Sequence, residues 1–168
     1  MAYLLIAVAI ILRLVPHIPN VAPVAAIALF SGVYLGRKQA LTIPLVAMFL
    51  SDLFIGFYTW QIMVAVYASF ALTALIGFWV RERKSIPTVI GGGLAGSLAF
   101  FITTNFAVWA FGNMYPKTVS GIMSCYIAAI PFFRNSLLGD LFYVGILFGT
   151  YETVRVWREK RVFAKSRA

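Results

Sequence analysis

The chain has 168 residues, of which 62% are hydrophobic and 11% charged, with a net charge of +9. A soluble domain carries about 25% charged residues, and a fold this small has too much surface for its volume to hide so much apolar side chain. Lipid removes that difficulty. The basic residues flank apolar runs instead of forming a groove-lining array, which argues against nucleic acid as a partner and for one transmembrane domain, 1–168.

Residues 1–12 are apolar but lack a positive leading region, and Arg13, Pro16, His17 and Pro19 stand where small cleavage-site residues belong. The segment therefore reads as a retained helix. A bilayer core about 30 Å thick takes about 20 residues, so this first span, 2–14, is short. Val15-Pro16-His17-Ile18-Pro19-Asn20 interrupts it, because proline removes a donor and restrains the residue before it. Asn20 is the expected N-cap of a second helix, 21–35, with Pro23 in its first turn.

A third span is expected at 39–57, bent at Pro44, and a fourth at 61–80, closed by Arg81-Glu82-Arg83-Lys84. The fifth, 86–111, is long enough to tilt, and Gly91, Gly92, Gly93 and Gly96 invite close helix contact. Residues 118–133 read as a short interfacial or re-entrant helix ended near Pro131. The last span, 136–157, precedes a basic tail, 158–168. The fold class is thus an all-α membrane protein with six transmembrane helices. Placing 36–38, 81–84 and the tail in the cytosol obeys the positive-inside bias and puts both termini inside. The expected location is the inner (cytoplasmic) membrane.

With that orientation Arg13, His17, Asn20, Asp52, Asn105, Trp109, Tyr115, Arg134, Asn135 and Asp140 fall at or just inside the outer end. Contributions from several segments at one depth are what a binding cavity requires. Asn105 and Trp109, four apart, share a helix face. An aspartate in a transmembrane helix costs about 2.5–3.5 kcal/mol on insertion scales and needs a partner. A structural Asp52–Arg13 or Asp140–Arg134 pair would meet that need without a ligand. Two acids against the outer cations Arg13, Lys117 and Arg134 leave a surplus positive charge, which an anionic group on a ligand would balance. Most of Phe54, Phe57, Tyr58, Trp60, Trp109, Phe111 and Tyr115 read as an interfacial aromatic belt, with two or three left to line the pocket.

One histidine and one cysteine, Cys125, make neither a metal site nor a disulfide. No nucleophile elbow, zinc-helix motif or phosphate loop is present, so neither catalysis nor ATP hydrolysis is expected, and no cofactor is.

Arg13-Leu14-Val15-Pro16-His17-Ile18-Pro19-Asn20, with Ser51-Asp52, Thr104-Asn105-Phe106-Ala107-Val108-Trp109, Met114-Tyr115-Pro116 and the stretch from Cys125 through Arg134-Asn135 to Gly139-Asp140, resembles a poorly characterised family of small bacterial membrane proteins. That family looks related to the S components of energy-coupling factor (ECF) vitamin transporters. The resemblance implies a six-helix subunit that binds a vitamin- or cofactor-like solute in an outward cavity, under the loop between helices 1 and 2. It also implies a partner, an energy-coupling module of a transmembrane subunit and ATPases. S components typically dock through an AxxxA in the first helix, whereas here Ala22 and Ala26 carry that spacing in the second. Two rival readings remain: an assembly subunit whose polar residues lock helices together, and a lipid-modifying membrane enzyme with Asp52 or His17 as base.

Overall fold

The computed structural model describes residues 1–16 and 19–165, and within them every regular element is helical. The helices are α1 (Ala2–Leu14), α2 (Val24–Tyr34), α3 (Arg37–Ile55), α4 (Trp60–Glu82), α5 (Ile86–Phe111) and α6 (Val119–Lys165). Four of them, α3 to α6, are long and apolar enough to cross a membrane, as in a multi-pass membrane protein. At about 1.5 Å per residue, α1 and α2 fall short of a full bilayer core.

The shortest helix is the hub. α2 packs against all five others, and every residue from Val24 to Val33 is buried. A helix apolar on all sides has no stable place at a water boundary, so the rest of the bundle wraps it. Its contact with α4 is a backbone one: a Cβ on Gly32 would lie 2.7 Å from the Gly77 Cα, and one on Gly77 would lie 2.8 Å from the Gly32 Cα. The expected role of the α5 glycines holds for Gly92 and Gly96. A side chain there would strike Val80 and Thr73 of α4, at 2.7 and 2.8 Å, whereas Gly91 faces open space.

At the basic end, the Arg81 guanidinium donates to the carbonyl oxygens of Gly32, Val33 and Leu35. These are orphan acceptors at the C-terminus of α2, where a cation also opposes the helix dipole. Lys84 pairs with Glu152 at 2.5 Å, and Tyr34 donates to the same carboxylate. The rings of Phe30, Tyr34, Phe148 and Tyr151 cluster beneath this lock.

Expected and observed boundaries agree to the residue for α1 and α5. Ser85 and Thr88 form a reciprocal capping box at the start of α5. Three expectations need correction. Asn20 is not the N-cap of α2: the helix begins at Val24 with Pro23 in the cap position, because a residue before proline is pushed to extended backbone and the helix cannot run back through Ala22. α3 spans 37–55 rather than 39–57, since Gly56 takes φ 105° and ends it. The separate re-entrant helix is absent; α6 runs unbroken through Pro131. In lipid a broken helix would strand polar backbone groups, so a proline that would end a helix in water is carried within one.

Candidate functional site

Arg13, in the last turn of α1, reaches across to α3. It donates to the Met48 carbonyl oxygen at 3.2 Å and to the Ser51 hydroxyl, and it pairs with the Asp52 carboxylate at 2.7 Å. Asp52 is completely buried, and its second oxygen accepts from the Tyr67 hydroxyl of α4 at 2.7 Å. Ser51, which accepts from Arg13, donates to the carbonyls of Ala47 and Met48. Of the two structural pairs the sequence offered, Asp52–Arg13 therefore forms.

Beside this cluster lies a cavity of about 230 Å³. Arg13, Asn20 and Tyr58 contribute to one side of it, Phe70 of α4 and Phe100 of α5 form an aromatic wall, and Ser136 and Asp140 project from α6. The two phenylalanine rings stand 5.3 Å apart, centroid to centroid. Burial and the neighbouring Asp52 carboxylate push the Tyr58 hydroxyl above its ordinary pKa, so it stays a neutral donor. A second space of about 140 Å³ shares Asn20, Phe100 and Ser136 with the first and adds Thr104 and Asn105.

Asn20 reaches the cavity from a stretch, 19–23, that forms no helix. Its φ is 65°, in the left-handed region that asparagine tolerates better than most residues. The same connection presses on α6 at Gly139, where a Cβ would lie 3.0 Å from Val21 Cγ1. Irregular backbone at membrane depth is expected to line a cavity or be buried in protein. Here Asn20 and Ala22 line one.

Over residues 1–163 the sequence fits the model of a family of unknown function. The chain belongs to that family, DUF6580. No curated protein and no solved structure matches it.

The sequence-derived site residues divide into groups. Arg13, Asn20 and Asp140 line the larger cavity, Asp52 stands behind Arg13, and Asn105 lines the smaller space while donating to the Phe101 carbonyl of its own helix at 2.8 Å. Trp109 and Tyr115 line neither. The Trp109 indole donates to the Pro116 carbonyl at 3.0 Å, and Lys117 donates to the Trp109 and Gly112 carbonyls, which ties down the α5–α6 turn. Arg134 is exposed on α6 and has no polar partner among the described residues; Asn135 is half-buried, and both are outside the two spaces. The expected Asp140–Arg134 pair does not form: Asp140 accepts from Ser97 of α5 at 2.7 Å. His17 lies outside the described residues.

Tyr67, Ser97 and Ser136 were missed. Ser97 and Ser136 read as ordinary small residues of apolar helices. Tyr67 had a usable signal, being a phenol one helix away from an aspartate that needs donors. A larger groove of about 690 Å³ between α5 and α6 has mostly apolar walls, and the charged groups that line it, Lys84 and Glu152, are already paired with each other, with Tyr34 donating to the same carboxylate.

Proposed function

We propose that this chain is a substrate-binding membrane subunit for uptake of a small vitamin- or cofactor-like solute, held in the cavity between Arg13 and Asp140. The observation that supports this reading is the convergence of polar groups from α1 (Arg13), the α1–α2 connection (Asn20), the α3–α4 turn (Tyr58) and α6 (Ser136, Asp140) on one space walled by aromatic rings. Ligand pockets are commonly about 300–1,000 Å³ with a few polar groups in apolar walls, and the two spaces, which share Asn20, Phe100 and Ser136, together come near the lower end of that range.

In this reading all six helices cross the inner membrane, the two short ones with the help of the α1–α2 connection, and both termini face the cytosol. The basic residues at 36–38 and 81–84 and on the tail then lie inside, and the cavity faces outward under that connection. The relation to S components enters here, with an energy-coupling module as the partner that supplies ATP hydrolysis. Docking would not use Ala22 and Ala26, because Ala22 lines the cavity and Ala26 is buried. The exposed face of α1, with Tyr3, Leu4 and Ile11, offers the surface instead. We assign no catalytic role.

The test is mass spectrometry of the molecule released when the purified protein is denatured. Wild type releases a small solute, and Val66→Trp, which fills the cavity from α4, does not. Absence of any solute from both would overturn the reading. Orientation is checked with single cysteines at Lys84 and Arg158 in a Cys125→Ser background; labelling of either by an impermeant reagent from outside intact cells would reverse the cavity's direction.

A specific observation favours one rival for part of the molecule. Arg13 spends its donors on Met48, Ser51 and Asp52, as a helix lock would. Asp52→Asn that folds but loses the solute assigns this cluster to the site, whereas loss of folded protein assigns it to the lock.

A further inference from the structure

The charge around the cavity is the reverse of what the outer cations suggest. Arg13 is cancelled by Asp52 at 2.7 Å. Lys117 is bound to carbonyls of the α5–α6 turn, and Arg134 is exposed on α6 away from the cavity. Asp140 lines the space, is 7% exposed and has one described side-chain partner, the Ser97 hydroxyl. No cation pairs with it among the described residues. An ionised carboxylate withdrawn from water needs a counter-charge, and the described residues supply none here.

We infer that the solute is a small organic cation, an ammonium or a protonated or quaternary nitrogen ring, with Asp140 as its counter-charge and the rings of Phe70, Phe100 and Tyr58 around its apolar part. This rests on the solute-binding reading above. Aromatic faces attract cations through their quadrupoles, most strongly where water is excluded. An inorganic cation fits poorly, since no group of three or more His, Cys, Asp and Glu side chains able to hold a metal exists among the described residues. The smaller space, with Asn20, Thr104, Asn105 and Ser136, would take polar substituents on the same molecule.

The test uses a charge series of equal shape on the wild-type chain in nanodiscs of neutral lipid: benzylammonium, benzyl alcohol and benzoate, each titrated calorimetrically after endogenous solute is dialysed away. Benzylammonium should bind at least about tenfold more tightly than the other two. In Asp140→Asn that preference should vanish. The released natural solute should carry a basic or quaternary nitrogen. Benzoate or benzyl alcohol binding best, or a cation preference that survives Asp140→Asn, overturns the inference and leaves solute binding standing. No binding by any of the three, with no natural solute released, overturns both. The wild-type series decides the matter even if Asp140→Asn does not fold.

Discussion

Asp52 and Asp140 are both buried aspartates beside the same cavity, yet they are held in opposite ways. Asp52, at the α1–α3–α4 corner, has an arginine on one oxygen and a tyrosine hydroxyl on the other. Asp140, on the α5–α6 wall, has a serine. An acid whose charge is already matched contributes to holding helices together; an acid left unmatched keeps its charge available for something that arrives later. On the proposed reading one residue type serves two ends, and the neighbours decide which.

The strongest way to break this contrast is to remove one charge from the matched corner. Arg13→Ala should cost about 3–5 kcal/mol of stability, because the Asp52 charge is left buried and alone. Replacing both partners together, Arg13→Met with Asp52→Leu, should recover most of that loss. Asp140→Asn should change stability by less than about 1 kcal/mol, since no buried cation loses its partner and the amide oxygen still accepts from Ser97. Thermal unfolding of the three variants in one detergent measures the difference. Equal losses for Arg13→Ala and Asp140→Asn would erase it.

Two smaller changes sharpen the comparison from either side. Tyr67→Phe deletes a hydrogen bond to a buried charge and should cost about 1.5–3 kcal/mol. Gly139→Val should cost about 1–3 kcal/mol through overpacking, as a Cβ there would already lie 3.0 Å from Val21 Cγ1, closer than ordinary van der Waals contact. Its second effect tells the two regions apart. By pushing the α1–α2 connection off the Asp140 wall it should weaken solute retention, which equilibrium dialysis would detect.

Membrane character and helix positions were legible because apolar length is a one-dimensional signal. α1 and α5 end where Val15-Pro16 and Gly112 interrupt that signal, and both boundaries could be read directly. The continuity of α6 could not: the rule that proline ends a helix is a rule for water, and a helix long and apolar enough to cross a membrane can carry Pro131 within it. At the site, the need of Asp52 for a partner was legible, and Arg13 was among the few candidates. That Arg134 turns away from Asp140 was not, because it follows from the continuity of α6: on one unbroken helix residues six apart lie on different faces.

The smallest expected effect is the most discriminating. Ser97→Ala removes a hydroxyl from a buried aspartate, as Tyr67→Phe does, so the two are matched deletions. The Ser97 hydroxyl lies 2.7 Å from Asp140 but also 3.1 Å from the Gly93 carbonyl of its own helix. Its one proton is therefore divided between two acceptors, and the bond to the acid is worth less than a full charged hydrogen bond. The loss should be about 0.5–1 kcal/mol, near the neutral hydrogen-bond value, and chemical unfolding resolves it when the two variants are run side by side. A cost equal to that of Tyr67→Phe would mean that Asp140 is gripped as firmly as Asp52. The α5–α6 wall would then be a second lock, with no carboxylate left free to meet a cation.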